Sequence, residues 1–324
     1  MEEKMNVWFE GPSKVTIRTE KIPEPIGDEY LVKAKLSTIS CGSERTLLKG
    51  NLNRTLSLDP VFASHQTLEF PFPYGYQMVG HVVAQGKNVP QNLLHKRVFC
   101  FAPHSNYAVV KAPTLFPLSD MVDDIQATLL ANMETALTLV WDLHPFMREK
   151  IAVFGQGIVG ILTSLLLSRI DLSDLFVFDL NPKKRALAEK LGFATVFAEP
   201  ENEDLVDGAI EVSGNAKALE SCIRVTQAQG RIVLGSWYAD DDKPQLGTTF
   251  HRKRQQLLAS QVSSVNSRLG SLLSKERRIQ EALKLIECIP LEYFDTKVFS
   301  INDAVQAYNA LMAGEQDLIV FSYS

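Results

Sequence analysis

The sequence predicts an α/β protein in two parts: an N-terminal, mostly antiparallel β domain and a doubly wound parallel-sheet domain. Three observations predict it. Residues 1 to about 120 run in short β-rich segments broken by Gly and Pro, and from about 123 short apolar runs alternate with helical stretches. The 324-residue length is also right for two ordinary domains rather than one core. The expected boundaries are 1–122 with 268–324 for the β domain and 123–267 for the parallel-sheet domain.

Along the chain, "YLVKAKLSTIS", "HVVAQGKNV", "KRVFCFA" and "YAVVKA" are the strands of a compact barrel or sandwich. The pattern then changes to strand, helix, strand. "KIAVF", a helix from Gly157, "LFVFD", a helix over "PKKRALAEKLG", "TVFA", "GAIEVSG", a helix through "AKALESCIRV", "RIVLGSW" and "LLASQVSS" follow in order. After about 267, an amphipathic helix "KERRIQEALKLIEC", a strand "DTKVFS", a helix "INDAVQAYNALMAG" and a strand "LIVFSY" are expected to return to the first domain. The stretch 51–70 carries no readable specificity.

Composition excludes several classes. Lys+Arg number 33 against Asp+Glu 38, a net charge of -5 with no long block of one sign, so nucleic acid is not the expected partner. The basic knot "HRKR" at 251–254 reads as a solvated helix face rather than an anion site. Cys41, Cys100, Cys222 and Cys288 form no CxxC pair, so neither a disulfide framework nor a four-thiolate zinc site is legible, and a reducing cytoplasm fits. The acidic, strand-like start does not read as a secretory leader, and the longest apolar run, "GIVGILTSLLL", falls short of the ~20 residues that span a bilayer. No membrane partner is expected.

The strongest chemical signal is "IAVFGQGIVG". Gly155, Gln156, Gly157, Ile158, Val159 and Gly160 form G-x-G-x-x-G between a strand and a helix, the Rossmann fingerprint for a dinucleotide. Gly155 suits the tight turn, Gly157 lets backbone approach a pyrophosphate at the helix N-terminus, and Gly160 lets helix pack on strand. Asp179 closes the next strand nineteen residues after Gly160. A carboxylate there accepts from both ribose hydroxyls and repels a 2′-phosphate, so NAD is favoured over NADP; Lys183 and Lys184 keep NADP open, and Asp179 could instead cap the helix that begins at Pro182. Ser213, Gly214 and Gly235 supply small residues at strand ends on the nicotinamide half.

Over nearly its whole length the chain resembles the medium-chain dehydrogenase/reductase (zinc-type alcohol dehydrogenase-like) superfamily. The matching phrases are "STISCGSE" (37–44), "GYQMVGHVVAQG" (75–86), "METALTLVWD" (133–142) and "FSINDAVQAYNALMAG" (299–314). Within it, "GSERTLLKG", "PYGYQMVG" and "VFGQGIVG" are most similar to a branch that includes bacteriochlorophyllide dehydrogenases; the branch, not its pigment substrate, carries over. The resemblance implies a GroES-like first domain, a Rossmann second domain and an NAD(P)-dependent oxidoreductase.

Position by position, the resemblance places Cys41 at the first zinc ligand, Tyr76 where a ligand histidine belongs, Gln77 in place of a glutamate and Glu134 at the third ligand. Ser43 keeps the proton-relay position. Two ligands of suitable type do not make a zinc site, so no catalytic zinc is expected, with His104 as the one residue that could complete a set. His81 should point away if Val79 packs inward. Without zinc, the donor to a developing alkoxide falls to Ser43, Tyr76 or His104. The alternatives are a zinc-free reductase of enones or quinones and a non-catalytic NAD sensor. A small-molecule substrate and a homodimer paired along the edge strand near 256–264 complete the expectation.

Overall fold

A computed structural model of the chain describes residues 2–50, 69–89, 91–238, 243–267, 273–314 and 316–324. Most of the stretch 51–70 therefore lies outside the described residues. Two compact units emerge, Met1–Ala131 with Leu283–Ile289 and Asp295–Ser324, and Asn132–Ala282 with Pro290–Phe294.

The first unit begins with β1 (Glu3–Gly11) and β2 (Lys14–Lys21), a hairpin turned at Pro12 and Ser13. Strand β3 (Glu29–Thr38) buries Tyr30, Leu31 and Val32 in its first half and exposes Lys33. Helix α1 (Cys41–Lys49) ends at Gly50, which takes φ 73, a left-handed conformation that only glycine adopts without strain. Next come β4 (Phe72–Pro73), β5 (Met78–Gln85), β6 (Arg97–Cys100), β7 (Tyr107–Lys111) and β8 (Leu115–Pro117). Helix α2 (Asp124–Thr128) starts from a capping box of Asp123 and Gln126, and α3 (Leu130–Leu143) carries the chain into the second unit.

In that unit β9 (Lys150–Phe154), α4 (Ile158–Leu167), β10 (Asp174–Phe178), α5 (Pro182–Lys190) and β11 (Thr195–Phe197) form the first half. The second half is β12 (Val206–Glu211), α6 (Ala216–Val225), β13 (Thr226–Leu234), α7 (Thr249–Arg252) and β14 (Gln256–Ala259). The six strands are parallel in the order β11-β10-β9-β12-β13-β14, so the winding reverses between β9 and β12. Ile151, Ala152 and Val153 are fully buried, as a strand covered on both faces requires, and Phe154 stacks on Phe178 with centroids 4.6 Å apart.

Helix α8 (Lys275–Leu285) leads back to the first unit, where β15 (Thr296–Ser300), α9 (Ala304–Ala313) and β16 (Leu318–Ser322) complete it. There β16 pairs with β3, giving a seven-stranded sheet in the order β15-β16-β3-β5-β6-β8 with β7 also on β3, beside a small sheet β2-β1-β4. Phe9, Phe72, Tyr308 and Phe321 anchor one core, with Phe9 edge-on to Tyr308 at 5.2 Å.

The compact units divide inside α3 and α8, and two sequence expectations change in detail. The last parallel strand stops at Ala259, short of 264: Arg278 takes the carbonyls of Val262 and Ser264, which ties that segment away from the ladder. Nor is the basic knot wholly solvated, since Lys253 donates to the carbonyls of Arg224 (2.8 Å) and Thr226 (3.1 Å) at the end of α6 and pairs with Asp204. Among the described residues no helix is long and apolar enough to cross a membrane.

Candidate functional site: a dinucleotide crevice and a hydroxyl cluster

The turn after β9 shows what each glycine does. Gly155 takes φ 94, and a Cβ on it would lie 2.8 Å from the Ser213 nitrogen. A Cβ on Gly160 would lie 1.8 Å from the Gly155 carbonyl oxygen. Those two are demanded by the protein's own packing. Gly157 is not: a Cβ there meets nothing within 4 Å. It caps α4 without a side-chain hydrogen bond, so the helix start keeps unsatisfied N–H groups and open space before them. Ile158 and Val159 are half-buried in the first turn, whereas the Gln156 side chain turns inward, donating to the Gly155 carbonyl at 3.0 Å.

Asp179 follows β10. Its Oδ2 accepts the Gln156 N–H at 2.6 Å and its Oδ1 the Asn181 N–H at 2.7 Å. Each oxygen keeps a lone pair for a further donor. The capping role left open for Asp179 belongs to Asn181, whose side chain accepts from Lys183 N–H at 2.9 Å. Sequence reading missed Arg185, whose Nη1 donates to the Asp179 and Leu180 carbonyls at 2.8 and 2.9 Å; its signal was a third basic residue after Lys183 and Lys184. Lys184 is half-buried in the first turn of α5.

On the other side of the reversal, β12 ends at Glu211, a buried carboxyl also missed from sequence. It accepts the Ser213 N–H at 2.6 Å, the Ser213 hydroxyl at 2.5 Å and the Tyr238 hydroxyl at 2.5 Å. Burial pushes this carboxyl above its ordinary value, and the donors from Ser213, Tyr238 and Gly214 pull it part of the way back. Gly214 takes φ 70 in the turn that follows, and a Cβ on Gly235 would lie 2.4 Å from a Leu139 methyl, so Gly235 is a packing requirement.

In the first unit, Cys41 opens α1 and Tyr76 lies just before β5. The Tyr76 hydroxyl donates to Ser40 Oγ and lies 3.1 Å from Ser43 Oγ. Burial pushes the phenol up to about 12 despite its hydrogen bonds with Ser40 and Ser43, so it is a neutral donor over the ordinary pH range. The Cys41 thiol is half-buried and donates weakly to the Ile39 carbonyl at 3.8 Å.

His104, by contrast, belongs to the core. Its Nδ1 is 2.6 Å from Ser37 Oγ, and its Nε2 is 3.2 Å from both oxygens of Glu44. Glu44 also accepts the Ser40 N–H (2.7 Å) and the Tyr308 hydroxyl (2.5 Å). Gly75 makes room: a Cβ on it would lie 2.7 Å from the imidazole. With both nitrogens engaged and the ring fully buried, His104 is corrected from candidate donor or ligand to structural residue. Ser37, His104 and Glu44 have the connectivity of a nucleophilic triad, yet Ser37 is fully buried and beyond a substrate's reach.

The positions matched to zinc ligands do not fit the ion. Glu134, in the second unit, is ion-paired with the buried Arg278, whose Nε and Nη2 both lie 3.0 Å from Oε1. Tyr76 is a protonated phenol, the Cys41 thiol is turned to the Ile39 carbonyl, and Gln77 is buried with its Oε1 unpaired. Val79 is buried and His81 exposed. Among the described residues no three His, Cys, Asp or Glu side chains come together to hold a metal.

No model of a protein family matches the chain. It is 27% identical over 261 residues to the (R,R)-butanediol dehydrogenase of Bacillus subtilis, covering 68% of this chain and 74% of that one. The crystal structure of 2R,3R-butanediol dehydrogenase from the same species superposes over 99% of this chain and 100% of that one, with a TM-score of 0.79 at 19% identity. An Escherichia coli CFT073 alcohol dehydrogenase complexed with NADH (TM-score 0.80, 16% identity) covers 99% of this chain and 100% of its own. So does a Sinorhizobium meliloti protein described as a zinc-binding dehydrogenase and bound to NADP (TM-score 0.79, 17% identity). The three-glycine turn and the six-stranded sheet are in keeping with these likenesses: the chain is similar in sequence to named dehydrogenases and shares the fold of these solved ones.

Proposed function

We propose that the chain is an NAD(P)-dependent oxidoreductase that interconverts an alcohol and a carbonyl without a catalytic zinc. The observation that carries the reading is the open space at Gly157, before the uncapped N-terminus of α4. The nicotinamide, when bound, supplies the hydride chemistry. The α4 N–H groups would hold the pyrophosphate, and Asp179 would accept from the adenosine ribose hydroxyls and favour NAD. Arg185 and Lys184 are the groups that could admit a 2′-phosphate, and the relatives include proteins seen with NADH and with NADP.

For the substrate oxygen, Ser43 and Tyr76 are the donors this chain offers in place of a metal. A phenol that stays protonated to about 12 serves as hydrogen-bond donor rather than general base. The zinc-free part of the reading is supported by Arg278 on Glu134. It extends to a small-molecule substrate, a cytoplasmic location, no nucleic-acid or membrane partner, and a homodimer paired along the exposed edge of β14; light scattering that finds a monomer would refute the dimer.

The test is NADH and NADPH binding, followed by turnover of a panel of polyols, ketones, enones and quinones before and after EDTA. Alcohol or ketone turnover that survives EDTA supports the reading. Turnover restricted to enones or quinones makes the protein a double-bond or quinone reductase, and binding without any turnover makes it a sensor. Stoichiometric zinc, lost together with activity on Cys41→Ala, would overturn the zinc-free mechanism.

A further inference from the structure

We infer that Glu211 is a positioning residue for the nicotinamide half of the cofactor, acting through the Ser213–Gly214 turn and Tyr238. This rests on the NAD(P) reading above and goes beyond it, since no part of that reading uses Glu211.

Glu211 is the last residue of β12 and pairs in register with Phe154, the last residue of β9. It therefore stands where the sheet's winding reverses, at the carboxyl ends of the strands, where a doubly wound sheet binds its ligand. Asp179 lies on the β10 side of that point and Glu211 on the β12 side, so the two carboxylates serve opposite halves of a dinucleotide.

A fully buried carboxylate is expensive, and among the described residues its partners are all neutral donors. A valine would close the strand without that penalty, so the fold alone does not call for it. What the carboxylate does is gather donors from the Ser213 backbone and hydroxyl and from Tyr238. It thereby fixes a turn that packs against the glycine loop, where even a Cβ on Gly155 would collide with Ser213. The turn and the glycine loop are held as one surface, and the Trp237 carbonyl, 3.1 Å from a Cβ placed on Gly214, joins it.

The test uses the full chain, with NADH and ADP as probes in calorimetric titrations. ADP carries the adenosine and both phosphates but no nicotinamide. Glu211→Gln keeps shape and one acceptor oxygen, and replaces the other with an amide that cannot accept. NADH affinity is expected to fall about tenfold, the loss typical of a hydrogen bond to a charged group, while ADP affinity stays within about twofold. A merely structural role would move both ligands together or neither, and either result overturns the inference. Should Glu211→Gln not fold, Tyr238→Phe removes a single donor and carries the same comparison, with a loss of about threefold in NADH alone. Wild-type protein that binds neither NADH nor NADPH would refute the cofactor reading itself, a failure visible before any variant is made.

Discussion

Removing Arg278 tests the account of Glu134. The Arg278 side chain is 1% exposed and that of Glu134 11%, and the guanidinium also holds the Val262 and Ser264 carbonyls. Arg278→Met keeps most of the buried volume and removes the guanidinium paired with the Glu134 carboxylate. Breaking a buried pair from one side costs about 3–5 kcal/mol. The slight exposure of Glu134 favours the lower end, and two orphaned carbonyls add about 1 kcal/mol each where water does not reach them. The expected loss is therefore about 5 kcal/mol, a large share of the ~5–15 kcal/mol that holds a domain together. Because a chain of two units need not unfold in one step, calorimetry resolving each transition is the assay. The Glu134→Leu/Arg278→Met double variant should recover most of the loss, since replacing both partners removes both charges. A loss below about 1 kcal/mol for Arg278→Met, or a double variant no more stable than the single one, would refute the reasoning.

Gly157→Ala should leave the melting temperature within a degree or so, yet weaken NADH about tenfold or more, whereas Gly160→Ala, with its Cβ 1.8 Å from the Gly155 oxygen, should destabilise the unliganded protein; equal effects on stability would contradict the division of labour. Tyr76 has a folded pKa raised from 10.0 to about 12, so the stability it contributes is fully present below pH 10 and is lost as pH rises toward 12; melting curves of Tyr76→Phe should lack that part of the alkaline decline. Asp179→Ser should shift the NAD-to-NADP affinity ratio toward NADP, and should also cost about 1–2 kcal/mol of stability, because the carboxylate satisfies the Gln156 and Asn181 N–H groups; unchanged cofactor preference in titrations would count against its role. Added zinc, or its removal by EDTA, should leave both melting temperature and NADH affinity unchanged, as measured by calorimetry alongside elemental analysis.

The sequence by itself determined the fold class, the order of the parallel-sheet elements and the glycine turn. Those are local properties: apolar runs covered on two faces, a strand-to-helix junction, and glycines whose spacing follows from one turn of backbone. It also determined that the histidine at the second ligand position is a tyrosine, a fact of composition that no packing can change. What only the tertiary structure decided is where the charges and hydroxyls go. Glu44 and Ser37 lie 60 and 67 residues from His104, and Arg278 lies 144 residues from Glu134, so no pattern of spacing could show that the imidazole is sealed in the core and the carboxylate already paired. Glu211 was in plain sight in "EVSG", but a strand-end glutamate looks exposed until Ser213 and Tyr238 are seen to close over it. The cost of burying a charge depends on what surrounds it in space, and in this chain the groups that answer each buried charge come mostly from distant segments.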